Sequence, residues 1–198
     1  MSPEQINTIP IERYWLVTWT TYGSWLPGDD RGYVGTAPDE TGRQINHNQP
    51  GTPYCRPDQL RRQSAARRLK SAPVLLHVAQ AKAMLEQFQE TTCYRQWLLV
   101  AAAIMHTHLH LVVGVSQDPE PDKILGDLKS YGSRRLNRGW GKPGSDTWWT
   151  TGGSTRKLPD EQAAEAAVDY VRRQPNPLVV WTREQGLVFV KGESPDRA

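Results

Sequence analysis

The chain has 198 residues, 37% of them hydrophobic, and a formal net charge of +3. This length predicts one domain with a sizeable core, and so small a net charge decides little about partners. No apolar run is long enough to span a bilayer, and the first residues lack the pattern of a secretory signal. The two cysteines, Cys55 and Cys93, form no zinc spacing and no evident disulfide framework. We therefore expect a soluble cytoplasmic protein that does not bind membranes.

Positive charge is concentrated in two short stretches of the chain. Residues 56–70 hold six Lys or Arg against one acid, Asp58, and residues 123–142 hold six against Asp127. Such blocks suit contact with a phosphate backbone. A solvated helix face explains either block about equally well.

The first structural element is a strand over residues 14–22, which are rich in aromatic and β-branched side chains. From Trp25 the composition changes to Gly, Pro, Asp and Asn, which predicts a loop-rich surface insertion over about 25–70. Asp29 and Asp30 lie in it, and a turn explains them better than a catalytic carboxylate pair. Helical spacing begins within this stretch, around Leu60.

Later segments alternate between helical and strand periodicity. We predict a helix from Val74, with His77 as a structural residue inside it. A hairpin of strands 97–104 and 108–115 follows, and then a helix over 121–138. The remaining elements are a short strand at 148–150, a helix from 159 to 173, and strands at 178–181 and 187–190. This order predicts an α+β fold with a ferredoxin-like antiparallel sheet covered by helices, in one domain from 1 to 198.

Three of the five histidines lie within residues 106–110. Side chains two apart on a strand share a face, so His108 and His110 should point the same way and Leu109 the other. Two neighbouring imidazoles provide half of a divalent-metal site. His106 lies in the predicted turn, where a turn role is favoured over a third ligand or a proton acceptor.

Tyr170 and Gln174 are four residues apart and share a helix face. The amide oxygen could complete a metal site that keeps positions open for phosphate oxygens, and the phenol could attack the phosphate. Imidazole ligands suit Mn²⁺ better than Mg²⁺. Periodicity alone would make Tyr170 a core aromatic. Tyr131 is the rival nucleophile, but the residue four positions on, Arg135, is no metal ligand.

The ordered set of motifs resembles the single-tyrosine HUH transposases of insertion sequences, and within them the REP-associated tyrosine transposases. The resemblance rests on His108-Leu109-His110, on the Tyr-x-x-x-Gln-Pro motif at 170–175 and on the basic segment 129–137. Relatives read Met-Pro-Asn before the histidine pair, whereas this chain has His and Thr after the methionine. The resemblance covers about 13–23 and 74–180 and leaves out the insertion.

The resemblance implies an endonuclease and strand transferase for DNA transposition and recombination. It would nick and rejoin single-stranded DNA through a 5′-phosphotyrosine and recognise DNA hairpins, as a monomer or a homodimer. By the resemblance Tyr170 attacks, and His108, His110 and Gln174 bind Mg²⁺ or Mn²⁺. We also expect phosphate contacts from the basic helix: Lys129, Arg134, Arg135 and Arg138.

Two other functions stay open at this point. One is a non-catalytic, domesticated nucleic-acid-binding protein that keeps the basic helices and has lost cleavage. The other is a metal hydrolase built on His106, His108 and His110. Trp148 and Trp149 could stack on unpaired bases, and core packing explains them at least as well.

Overall fold

The computed structural model describes residues 10–31, 36–38, 44–46, 57–116 and 119–192. Cys55, Arg56 and parts of the proposed insertion lie outside these residues. Within them, no helix is long and apolar enough to cross a membrane.

One six-stranded antiparallel sheet organises the chain. Its strands are β1 (Arg13–Thr20), β4 (Leu98–Ile104), β5 (His108–Val115), β6 (Ser154–Leu158), β7 (Val179–Thr182) and β8 (Gly186–Val190). The helices are α1 (Gln59–Arg67), α2 (Val78–Tyr94), α3 (Pro121–Trp140) and α4 (Glu161–Arg172), and β2 (Thr36–Pro38) pairs with β3 (Gln44–Asn46) in a separate two-stranded sheet. The strand order in the large sheet is β6-β1-β5-β4-β7-β8.

The first four strands of that order form a ferredoxin-like unit. In sequence they read β1-α2-β4-β5-α3-β6, which is the βαββαβ arrangement, and all neighbours are antiparallel. The α+β fold with a helix-covered antiparallel sheet is therefore confirmed. β7 and β8 extend the sheet beyond β4.

Helices cover both faces of the sheet, so β5 is buried on both sides and reads as an apolar run. On one face α2 and α3 pack on Leu109, Leu111 and Val113 of β5. On the other face α4 packs on Val112, next in the alternation to His110. The α4 contacts are made by small side chains, Ala164, Ala167 and Val171, at helical spacing, which lets the helix lie close to the sheet.

Two local predictions are wrong, and one strand was not predicted. The second helix begins at Val78 rather than Val74, because His77 caps it and residue 76 is extended, with its amide donating to the His106 carbonyl oxygen at 2.8 Å. Trp148–Thr150 is no strand and makes only an isolated bridge between Trp149 and Thr21. The strand lies at β6 instead, whose polar sequence Ser-Thr-Arg-Lys-Leu carries little apolar signal.

Trp148 and Trp149 belong to the core. Both are buried against the α2 and α3 face. The indole N–H of Trp149 donates to Ser133 Oγ at 2.8 Å, and that of Trp148 to Asn137 Oδ1 at 2.8 Å. The packing role is the one that these contacts support.

Candidate active site

A pocket of 710 Å³ opens on the α4 face of the sheet. It is formed by β1, β5, β6, α4 and the loop that follows β1. Its polar lining consists of Thr18, Trp25, Arg31, His108, His110, Ser154, Arg156, Tyr170 and Gln174, and its floor is apolar. The four residues proposed for metal binding and attack are thus gathered in one pocket of one chain.

The two histidines lie side by side at the sheet end of the pocket. Their ring centroids are 5.2 Å apart. Nδ1 of His110 is 2.8 Å from the Thr18 hydroxyl, directly across the β1–β5 register, and Nδ1 of His108 is 3.0 Å from the Thr107 hydroxyl. These bonds fix both rings and leave the Nε2 atoms for a ligand.

Burial keeps both imidazoles neutral. It lowers the pKa of His110 to about 3, and the nearby His108 adds to this effect. Burial also lowers the pKa of His108, with a smaller contribution from the positive charge of Arg31. Metal binding requires neutral imidazole, so at neutral pH neither ring has to lose a proton first.

Tyr170 stands on the helix side of the pocket, over the histidines. Its ring centroid is 5.2 Å from that of His110, in edge-on contact. The side chain remains 49% exposed, unlike Ala167 and Val171 on the same helix. Tyr170 is therefore at the edge of the buried face of α4 and open to a ligand, rather than a core aromatic.

Gln174 lies two residues beyond Arg172, the last residue of α4. Its Nε2 donates to the backbone oxygen of Tyr170 at 3.2 Å, which leaves Oε1 as the amide atom available to a cation. Among the described residues, no group of three or more His, Cys, Asp or Glu could hold a metal ion. Two neutral imidazoles and one amide oxygen fit a divalent ion that takes its other ligands from substrate and water.

His106 lies outside this pocket. Its Nδ1 is 2.8 Å from the Leu76 carbonyl oxygen, and its Nε2 is 3.1 Å from Lys191 Nζ. Both ring nitrogens are engaged elsewhere, which argues against a hydrolase built on three histidines and leaves His106 its turn role.

The four proposed DNA contacts are on α3, which covers the other face of the sheet. Lys129 Nζ donates to the carbonyl oxygens of Thr150 and Gly152, both at 2.7 Å, and burial lowers its pKa to about 8. The remaining three contact protein groups: Arg134 the Tyr131 ring at 5.0 Å, Arg135 Glu86 at 3.3 Å, and Arg138 Gln87 at 3.4 Å. Their contact with DNA stays a prediction.

Five residues of the polar lining were not predicted as site residues: Thr18, Trp25, Arg31, Ser154 and Arg156. Thr18 is one of two threonines of β1, and only the register with β5 distinguishes it. Arg156 is on the strand that was not predicted, and Trp25 and Arg31 are in the stretch assigned to the insertion. The carboxylate of Asp29 is paired with Arg31 Nε at 2.7 Å, in keeping with the predicted turn rather than with a pair of free carboxylates.

Comparison with known proteins gives similarity of fold. No family model matches the chain, and no curated protein matches it. Among solved structures, a REP-associated tyrosine transposase bound to a REP hairpin has a TM-score of 0.46 and 9% identity, over 84% of this chain and 68% of that one. A candidate transposase from Deinococcus radiodurans R1 has a TM-score of 0.43 and 12% identity, over 84% of this chain and 95% of that one. At these values the likeness is one of fold and carries nothing about chemistry.

Proposed function

We propose that the chain is a metal-dependent DNA endonuclease and strand transferase that nicks and rejoins single-stranded DNA through Tyr170, as in transposition. The observation that supports this most is the edge-on contact of the Tyr170 ring with His110, inside a pocket that also holds His108 and Gln174. A half-exposed phenol beside two neutral imidazoles supports a role in attack on a phosphate rather than in packing.

In the proposed step Tyr170 Oη attacks the phosphorus of a DNA linkage in line with the 3′ oxygen. The bond from phosphorus to the 3′ oxygen breaks, and the phenol proton passes to solvent at this open side of the pocket. The 3′ oxygen takes up a proton and leaves as a hydroxyl, while the 5′ phosphate stays on the tyrosine. Attack by a 3′ hydroxyl reverses the step and rejoins the strand.

Mg²⁺ or Mn²⁺ held by His108, His110 and Gln174 would supply charge withdrawal from the phosphate oxygens. This matters because a phenol titrates near pH ~10 and is a weak nucleophile at neutral pH. The chain itself contributes position: the Thr18 and Thr107 hydroxyls hold the imidazoles, and α4 holds the tyrosine over them.

The test is a gel experiment with a labelled single strand that carries a hairpin, incubated with the protein and Mn²⁺. We expect a covalent protein–DNA band on a denaturing gel, lost in Tyr170→Phe and kept in the matched control Tyr131→Phe. A band that persists in Tyr170→Phe would refute the mechanism. Salt-sensitive binding with no band in any variant would instead support the non-catalytic binding protein.

A further inference from the structure

Two arginines enter the pocket from elements that the catalytic proposal does not use. Arg31 comes from the loop after β1, and Arg156 comes from β6. The described lining of the pocket contains no carboxylate. The charge of Arg156 is not offset by an acid in the pocket wall, and Arg31, although paired with Asp29, keeps N–H donors for a further acceptor. Such a lining favours an anionic ligand.

Arg31 is held in one orientation. Its Nε donates to Asp29 Oδ1 at 2.7 Å, and its Nη2 donates to Asp29 Oδ2 at 2.9 Å and to the Ser24 carbonyl oxygen at 2.8 Å. The guanidinium also lies over the Trp25 ring, 5.0 Å from its centroid. A guanidinium has five N–H donors, so the two on Nη1 remain, without an acceptor among the described residues.

Asp29 is the fixed point of this arrangement. It is 8% exposed, and its Oδ1 also accepts from the Arg31 backbone N–H at 3.1 Å. Burying a carboxylate costs desolvation free energy, which an ion pair on the open surface does not require. This burial supports an orienting role of Asp29 towards Arg31. The next residue, Asp30, is exposed and makes no such bond within the described part of the chain.

Arg156 reaches the pocket through the strand register. It lies opposite Leu16 on β1, and Ser154 lies opposite Thr18, the residue bonded to His110. Leu158, two residues on, is buried on the α4 face, so Arg156 shares that face. Its guanidinium is exposed and has no ion pair or hydrogen bond to any described residue.

We propose that Arg31 and Arg156 form a phosphate clamp that holds the DNA strand by the linkages flanking the one that Tyr170 attacks. The clamp rests on the proposed function, because it assigns the strand to this pocket. The guanidinium of Arg31 is held in its orientation by Asp29 and Trp25, whereas the side chain of Arg156 is free to adjust to the phosphate. Both read phosphate and no base, so the clamp is independent of sequence.

The first test asks in which direction the DNA affinity changes when a negative charge is removed. All binding is measured by fluorescence anisotropy on labelled single-stranded DNA, in a Tyr170→Phe background that prevents cleavage. Asp29→Asn removes a negative charge, which by simple electrostatics strengthens DNA binding. If Asp29 orients Arg31, the same change weakens binding instead. Asp30→Asn removes an equal charge without touching Arg31 and serves as the control, with unchanged or slightly tighter binding. Tighter binding of Asp29→Asn would overturn the positioning role.

The second test removes the charges themselves. Arg156→Gln should raise the Kd about 10- to 100-fold and reduce the slope of log K against log salt by about 0.7, as for one lost phosphate contact on a single strand. Arg183→Gln, an exposed arginine in the turn between β7 and β8, should change neither. Arg31→Lys keeps the positive charge and loses the planar guanidinium that can bind a phosphate through two N–H groups, so this variant too should bind DNA more weakly.

Neutral methylphosphonate linkages, placed one at a time along the strand, then locate the clamp. At the linkage that Arg156 contacts, the neutral group should weaken binding of the parent and leave Arg156→Gln unaffected. Uniform losses in both proteins at every linkage would overturn the clamp.

The two proposals fail separately. If the wild-type protein forms the covalent adduct while Arg31→Lys, Arg156→Gln and Asp29→Asn bind and react as it does, the clamp is wrong and the nicking reaction stands. If no adduct forms but these variants weaken binding as described, the clamp stands and the nicking reaction fails.

Discussion

The phenol of Tyr170 packs edge-on against the imidazole of His110, with ring centroids 5.2 Å apart, although one is on α4 and the other on β5. The contact exists because the small residues of α4 pack closely on the sheet. Tyr170, at the edge of the buried side of that helix, therefore reaches the face of the sheet that carries His110. It joins the proposed nucleophile to the proposed metal site within one chain.

The Thr18 hydroxyl should tune metal binding through His110. Thr18→Val keeps the shape of the side chain and removes the oxygen that lies 2.8 Å from His110 Nδ1. Loss of such a partner typically lowers metal affinity about 10- to 100-fold. We expect that loss for Mn²⁺ by isothermal titration calorimetry. Thr155→Val, on the neighbouring strand, should leave the affinity unchanged, and equal affinities for both variants would exclude this role of Thr18.

Mn²⁺ binding should resist mild acid. Burial lowers the pKa of His110 to about 3 and also lowers that of His108, so protons compete with the metal at lower pH than they do for imidazoles of ordinary pKa. Between pH 7.5 and about 6 the Mn²⁺ affinity should therefore fall less than that of a pair of imidazoles with the ordinary pKa of about 6.5. Calorimetry at several pH values checks this, and a steep loss centred near pH ~6.5 would contradict it.

The Asp29–Arg31 pair should stabilise the fold except in acid. The Arg31 hydrogen bonds lower the pKa of Asp29 from 3.8 to about 2. A carboxyl with a lowered pKa contributes stability that is fully present above its unfolded value and disappears as pH falls through its folded value. Asp29→Asn should therefore lower the Tm by about 2–4 °C near pH 7.

That difference in Tm should shrink as the pH falls from about 4 towards 2. Thermal unfolding of wild type and Asp29→Asn, followed by circular dichroism across this range, gives the comparison. Asp30→Asn should show no such pH-dependent difference. A gap between wild type and Asp29→Asn that stays constant down to pH ~2 would exclude the ion pair as its source.

Helix α1 should contribute to DNA binding rather than to the stability of the fold. It has no buried residue and carries Arg62 and Arg67 exposed on its surface. A helix this short with no buried residue adds little to the stability of the fold. Arg62→Gln/Arg67→Gln should leave the free energy of unfolding within about 0.5 kcal/mol and weaken DNA binding with a smaller salt slope. Unchanged DNA affinity would assign these charges to a solvated face.

The sequence predicts the fold and the pairing of His108 with His110 because alternation along a strand is local information. The shared face of Tyr170 and Gln174 follows from helical spacing in the same way, although spacing alone would have made Tyr170 a core aromatic. Arg156 could not be found, since β6 is held by backbone pairing with β1 rather than by an apolar pattern. Arg31 was not predicted because a loop, unlike a helix or a strand, has no periodicity that indicates where its side chains point.

The measurement that tests the central claim most directly is peptide mapping of the covalent adduct. The protein is reacted with single-stranded hairpin DNA and Mn²⁺, the DNA and protein are digested, and tandem mass spectrometry locates the remaining nucleotide. We predict that it is attached to Oη of Tyr170 through a 5′ phosphate. A nucleotide on Tyr131 or any other residue, or one attached through a 3′ phosphate, would contradict the account.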